Sequence, residues 1–226
     1  MQPLRHGYTN RTLGDGETVV KCYQGPGTLV RSRRERAVLR ALRGRVPVPQ
    51  VLDSGDGWVT MRFVGGIQGQ DLLDLGRAPG VLRACGAMLR RIHQLDVAGI
   101  RDSAWGPVVD GQVLVHGDYG PNNVLLDPAS LEITAVLDWE WAHAGNPVED
   151  LAWCEWIVRM HHPGQVSVLG EFFGAYGGTV PSWEARHAVM IQRCRSLLDF
   201  SGESDPGGPG EAQWVHRLAV TRAWRE

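Results

Sequence analysis

Apolar and polar positions along this chain divide it into two unlike parts. Residues Thr18 to Tyr23 are β-branched and aromatic, which predicts a strand, and Gly25-Pro26-Gly27 ends it. From Leu29 to Arg43 the spacing turns helical, with Glu35, Val38 and Leu42 on one face; Gly44, Pro47 and Pro49 mark its end. Trp58 to Val64 predicts another strand, and Gly65-Gly66 follows as a hinge. Pro79 opens a second helix, in which Val81, Cys85, Met88, Leu89 and Ile92 recur at helical spacing. Proline suits a first helical turn because its missing N–H would find no partner there, and Arg90, Arg91 and His93 suit the negative end of the helix dipole. Three short strands are predicted at Gln112–Val115, Val124–Leu126 and Ile133–Leu137. From Val148 onward the chain reads as mainly helical, broken by a Gly/Pro/Ser/Asp loop from Ser201 to Gly210. The helix from Val148 to about Met160 is apolar on nearly every side and so must be buried. The order predicts an α+β protein, a small β-rich part followed by a mainly helical one, with a cleft between them.

Composition removes several functional classes. With 23 basic and 25 acidic side chains the net charge is −2, so no basic field exists to grip nucleic acid. The run Arg31-Ser32-Arg33-Arg34 reads as a solvated helix face. Cys22, Cys85, Cys154 and Cys194 form no C-x-x-C pair and lie at no zinc spacing, which predicts reduced thiols. No apolar run suits a leader peptide or a membrane span, so a soluble, cytoplasmic protein without a membrane partner is expected. Lys21 is the one lysine among 23 basic residues. Against a background that uses arginine everywhere else, it is either a place where a slim point charge serves better than a planar fork or a chance survivor of a codon bias.

The candidate chemistry lies in the middle. His116-Gly117-Asp118-Tyr119-Gly120-Pro121-Asn122-Asn123 stands between two predicted strands, and Leu137-Asp138-Trp139-Glu140 follows the next. Asp118, Asn123 and Asp138 therefore sit at strand mouths. Phosphoryl transfer needs such a set: one carboxylate to orient the attacking hydroxyl, and a second carboxylate with an amide oxygen to hold Mg²⁺ on the phosphates. Taken singly, Asp118 and Asn123 also fit a polar turn, and His116 a core histidine.

Read together, H-G-D-x-x-x-x-N and D-W-E resemble the aminoglycoside phosphotransferase family and its relatives, the choline, homoserine and fructosamine kinases. The resemblance runs from about residue 4 to 200 and is strongest from 114 to 153. It implies a bilobal protein-kinase-like fold, with an N-lobe over residues 1–64 and a C-lobe over 65–226. It also implies ATP and Mg²⁺ as cofactors and a small-molecule acceptor. By this resemblance Asp118 is the catalytic aspartate, Asn123 and Asp138 are the Mg²⁺ ligands, and His116 orients the loop. Gly145-Asn146-Pro147-Val148-Glu149-Asp150-Leu151-Ala152 resembles the family's G-D-P-x-x-D-L-A segment. It implies that Asp150 accepts hydrogen bonds from the catalytic loop, while Asn146 keeps a capping role without the usual charge. Gly7-Tyr8-Thr9-Asn10 resembles the phosphate-covering turn. Lys21 is similar to the lysine that pairs with the α- and β-phosphates, with Glu35 as its partner. Met61, Arg62, Phe63 and Val64 would form the link whose backbone reads adenine.

Acceptor residues are harder to place. Glu155 interrupts the apolar helix, and it either pairs with an arginine or faces the cleft toward a cationic substrate. Asp199, with Glu203 and Asp205, forms either an acidic rim for an amine-bearing substrate or a solvated loop. Trp139 and Trp141 flank the metal aspartate and, with Glu140, are candidates to line the pocket. The expected reaction is transfer of the ATP γ-phosphate to a hydroxyl of an aminoglycoside or other amine-bearing compound, with a role in antibiotic resistance as one candidate. The alternatives are a metabolic kinase for an amino alcohol, amino acid or sugar, and a catalytically silent nucleotide-binding module.

Overall fold

The computed structural model describes residues 1–4, 10–100 and 108–226. A five-stranded antiparallel sheet opens the chain: β1 (Gln2–Pro3), β2 (Arg11–Gly14), β3 (Thr18–Cys22), then, after helix α1 (Thr28–Leu42), β4 (Val51–Gly55) and β5 (Trp58–Arg62). Its spatial order is β1-β2-β3-β5-β4, and Lys21 on β3 lies opposite Thr12 on one side and Val59 on the other. Helix α1 covers the sheet with Val38, Leu39 and Leu42, all buried. Glu35 and Arg31 continue the same stripe one and two turns earlier, so the helical period carries two charged side chains inward.

Residues 63–66 lead out of the sheet, and Gly65 accepts a hydrogen bond from Thr134 Oγ1 at 2.8 Å. The second part begins with β6 (Ile67–Gln68), a short α2 (Gly69–Leu72) and the long α3 (Ala78–His93). Then come β7 (Val113–Val115), β8 (Val124–Leu126), β9 (Ile133–Val136) and β10 (His143–Gly145). These make two small antiparallel sheets, β6-β8-β9 and β10-β7. Helices α4 (Val148–His161), α5 (Leu169–Tyr176), α6 (Trp183–Ser204) and α7 (Pro209–Ala223) complete the chain. Helices α3 and α5 approach closely at Gly86, where a Cβ would lie 2.1 Å from the Phe172 carbonyl oxygen. On α4 every residue from Asp150 to Val158 is buried, as its all-round apolar pattern requires. One core runs from α1 through α3 to α4, and a second gathers Trp153, Trp156, Met190, Cys194 and Leu218 between α4, α6 and α7.

The α+β arrangement expected from the sequence is present. Five strands carried no usable pattern: β1, β2, β4, β6 and β10. Each is short or largely polar, and strand pairing rather than periodicity defines it. The expected loop from Ser201 is also too long, because α6 continues to Ser204. The Arg31–Arg34 run is not a uniformly solvated face: Arg31 and Ser32 are buried while Arg33 is exposed. No helix among the described residues is long and apolar enough to cross a membrane.

Candidate active site

Strand β7 ends at Val115 and delivers His116-Gly117-Asp118 to the cleft. The loop is held from below by Asp150, at the start of α4. Its carboxylate accepts from the backbone N–H of His116 at 2.7 Å and of Gly117 at 2.9 Å, and lies 3.1 Å from His93 Nε2. Burial alone would raise the Asp150 pKa, but His93 and the loop N–H groups outweigh it and hold the carboxyl below its usual range. Gly117 has φ 82°, and a Cβ there would meet the Trp141 carbonyl oxygen at 2.6 Å, so the turn requires glycine. His116 Nε2 lies 2.8 Å from the Leu137 carbonyl, to which it donates, and Nδ1 accepts from the Asp118 N–H at 3.2 Å. Nε2 thus joins the two loops, while Nδ1 fixes the turn within its own. Asn146 Oδ1 accepts from the Val148 N–H at 3.0 Å, a turn-capping contact just before α4.

Asp118 is half-buried. Its Oδ1 accepts from the Trp153 indole N–H at 2.7 Å and its Oδ2 from Asn123 Nδ2 at 2.8 Å. Burial and the nearby Asp138 charge raise its pKa, opposed by the Trp153 hydrogen bond and by Arg193. Asn123 directs its amide nitrogen to Asp118, at the carbonyl as well as the carboxylate. That leaves Oδ1 as an acceptor that no described residue uses.

Asp138 follows β9 with φ 64° and ψ 60°, a left-handed conformation costly for a residue with a Cβ. Its Oδ1 lies 2.7 Å from Lys21 Nζ, which is also 2.7 Å from Glu35 Oε2. The Tyr23 hydroxyl donates to Glu35 as well, and Glu35 Oε1 accepts from the Trp139 N–H at 3.2 Å. Glu140 is taken up by Arg31 at 2.6 Å and by Asn10 Nδ2 at 2.9 Å. Burial disfavours the Lys21 ammonium, yet Asp138, Glu35 and Glu140 outweigh it and raise its pKa. Burial likewise disfavours the Asp138 carboxylate, and Lys21 holds its pKa below the usual range. Glu35, Asp138 and Glu140 are close enough to share a metal ion, but the Lys21 ammonium already stands among them.

Lys21, Asp118, Asn123 and Asp138 all line one cleft of about 510 Å³ between the large sheet and the helical part. Asn10, Met61, Arg62, Phe63 and Val64 line it too. Arg62 and Phe63 donate their backbone N–H groups to the Gln50 and Glu17 carbonyls. Gly7, Tyr8 and Thr9 lie outside the described residues. The acceptor candidates fare differently. Glu155 is 1% exposed, with its oxygens 2.8 Å from Arg159 Nε and 2.6 Å from Arg186 Nε, and it does not reach the cleft. Its cleft-facing alternative is therefore corrected: the carboxylate is closed by two cations. Glu140 is likewise turned inward onto Arg31. Asp199 is exposed on α6, and Trp141 packs against Phe200 with ring centroids 5.3 Å apart.

Sequence reasoning missed Trp153, Arg31, Tyr23 and His93. A signal existed for Trp153. It stands three residues after Asp150 on one helix face, so whatever loop Asp150 holds, Trp153 can touch.

Comparison with known proteins places this geometry. Acyl-CoA dehydrogenase family member 11 of Gallus gallus is 31% identical over 138 residues, 54% of this chain and 17% of the relative. Acyl-CoA dehydrogenase family member 10 of Mus musculus is 27% identical over 226 residues, 74% of this chain and 21% of the relative. The chain thus spans about a fifth of the length of these relatives. Among solved structures, the GDP complex of wild-type aminoglycoside 2'-phosphotransferase-IIIa aligns with a TM-score of 0.77 at 16% identity, covering 98% of this chain and 92% of that one. Macrolide 2'-phosphotransferase MphH from Brachybacterium faecium aligns with a TM-score of 0.60 at 18% identity, covering 100% and 93%. The fold is therefore the bilobal protein-kinase-like one, with a small β-rich lobe and a mainly helical lobe. The model of the phosphotransferase enzyme family, APH, matches residues 1–110 and 107–189, and the chain belongs to that family.

Proposed function

We propose that this chain transfers the γ-phosphoryl group of ATP, with Mg²⁺, to a hydroxyl of a small molecule. The observation that carries the reading is Lys21, 2.7 Å from both Glu35 and Asp138, on a cleft that Asp118 and Asn123 also line. The lobes would divide at the Gly65-Gly66 link, into residues 1–64 and 65–226. Lys21, held by Glu35, would pair with the nucleotide phosphates, and Val64 would offer its N–H to the base, since those of Arg62 and Phe63 are engaged. Aminoglycoside 2'-phosphotransferase-IIIa forms a GDP complex, which makes GTP a donor to test beside ATP.

The donor set fits a hard divalent cation. Asp138 supplies a carboxylate whose pKa is held low, and Asn123 supplies an amide oxygen left without a donor. Mg²⁺ at these two residues would neutralise phosphate charge as the phosphoryl group moves. Asp118 would orient the acceptor hydroxyl and take its proton. The hydroxyl oxygen bonds to the γ-phosphorus while the bond to the β–γ bridging oxygen breaks and ADP leaves. Asn123 and Trp153 would fix the Asp118 carboxylate for that task.

The test is Asp118→Ala. Turnover should fall at least ~10²-fold while Mg-ATP still raises the melting temperature as in the parent. Near-normal turnover would remove Asp118 from the mechanism.

A further inference from the structure

Helix α6 carries Arg193 toward Asp118. Its guanidinium packs 5.0 Å from the Trp141 ring centre and 5.8 Å from that of Trp153, the indole that donates to Asp118. Arg193 Nε is buried without a hydrogen-bond partner, and no described residue accepts from the rest of the guanidinium. The two fully buried arginines among the described residues are answered by carboxylates, Arg31 by Glu140 and Arg186 by Glu155. Burial lowers the Arg193 pKa, with Asp118 and Asp150 pulling the other way, and a guanidinium remains charged in such surroundings. Arg193 is half-buried, with no carboxylate of the described residues in contact, so its guanidinium is open to a bound anion that would pair with its N–H groups.

The nucleotide phosphates do not account for it. Lys21, Asn123 and Asp138 line the cleft, whereas Arg193, Trp141 and Trp153 do not; Trp153 joins them to the cleft-lining Asp118 through its indole N–H. We propose that Arg193 recognises an anionic group, a carboxylate or a phosphate, on the acceptor whose hydroxyl Asp118 orients. This rests on the phosphotransferase reading above. Two indoles hold the planar fork in place, which leaves its N–H edge for a bidentate contact. An amine-bearing acceptor would meet a like charge here, while Glu140 and Glu155, the acids that could have offset it, are engaged elsewhere.

The test uses the full chain and its tryptophan fluorescence, since two indoles touch the guanidinium. 3-Hydroxybutyrate and glycerol 3-phosphate are titrated beside 3-hydroxybutyramide, glycerol and 2-aminoethanol. At least one anion should bind saturably, about tenfold or more weaker in Arg193→Gln and intermediate in Arg193→Lys, which keeps the charge but loses the fork. The uncharged and cationic compounds should give no response. Arg193→Lys keeps the test open if the glutamine variant does not fold. Absence of anion binding to the parent, equal binding in Arg193→Gln, or a matching loss of nucleotide affinity would overturn the proposal. Phosphoryl transfer assays with the same compounds separate the two readings. Transfer to an uncharged or cationic alcohol that Arg193→Gln leaves intact would remove the anion site and keep the phosphotransferase. Arg193-dependent anion binding with no ATP or GTP turnover on any acceptor would do the opposite.

Discussion

Two groups of charges are buried in this molecule, and they differ in whether they close. Around Glu155, one carboxylate meets two arginines, Arg159 and Arg186, and the cluster lies away from the cleft. Around Lys21, two cations, Lys21 and Arg31, face three carboxylates, Glu35, Asp138 and Glu140. That second cluster opens onto the cleft through Asp138, whose side chain is 31% exposed. A closed cluster holds helices together. An open one holds a partly exposed carboxylate, Asp138, ready for a further cation. The difference lies in which neighbours the fold supplies, since both clusters begin as a single acid on an apolar helix face.

The largest expected effect that would break this contrast is Lys21→Met. It leaves buried Glu35 and half-buried Asp138 without their shared cation, and should lower kcat/KM at least ~10²-fold while also costing roughly 3 kcal/mol of stability. Steady-state kinetics over a range of ATP, with urea unfolding, would read both. Unchanged ATP dependence would put the open cluster on the same footing as the closed one. Glu155→Gln should show the opposite split. Its loss leaves two arginines short of a charge, and roughly 3 kcal/mol of stability should go while kcat in the folded protein stays within about threefold. A large fall in kcat at unchanged melting temperature would return Glu155 to the site.

Asp150→Asn sharpens the comparison, because this carboxylate is closed yet sits beneath the loop that carries Asp118. It should cost about 2–3 kcal/mol, since two buried N–H groups and His93 lose a charged acceptor. The folded-state pKa of Asp150 is depressed. Its contribution is therefore present above the unfolded value near ~3.9 and is lost as pH falls through the folded value. Acid unfolding of the parent should accordingly be steeper than that of Asp150→Asn.

Trp153→Phe carries the smallest change. It removes one hydrogen bond to Asp118 and should lower kcat by about threefold to tenfold. The Asp118 pKa is already raised by burial and by Asp138, so activity should rise with pH through an acid limb above the usual carboxylate range. Loss of the indole donor, which lowers that pKa, should move the limb to higher pH. A limb that stays in place would mean Asp118 is not the titrating group.

Much of the cleft was legible because its residues occur as short runs at strand ends. His116 to Asn123, Asp138 and the lone Lys21 need only a strand before or after them to arrive together. Glu35 was readable as a carboxylate on an apolar stripe. Arg31 was not, because it stands in an arginine run whose average is polar; only the α1 stripe through positions 31, 35 and 38 shows that it points inward. Trp153 was submerged in a helix that is apolar all round, where only its spacing from Asp150 marks its face.

The sequence by itself determined the elements that carry the chemistry, since periodicity, turn residues and the two motifs are local properties of the chain. The tertiary structure decided the pairings. Whether Glu155 is closed off, whether Asp138 is open, and whether Arg193 finds a partner all depend on groups brought together from distant positions. The interaction of a buried charge is set by what surrounds it in space, and no local pattern records that.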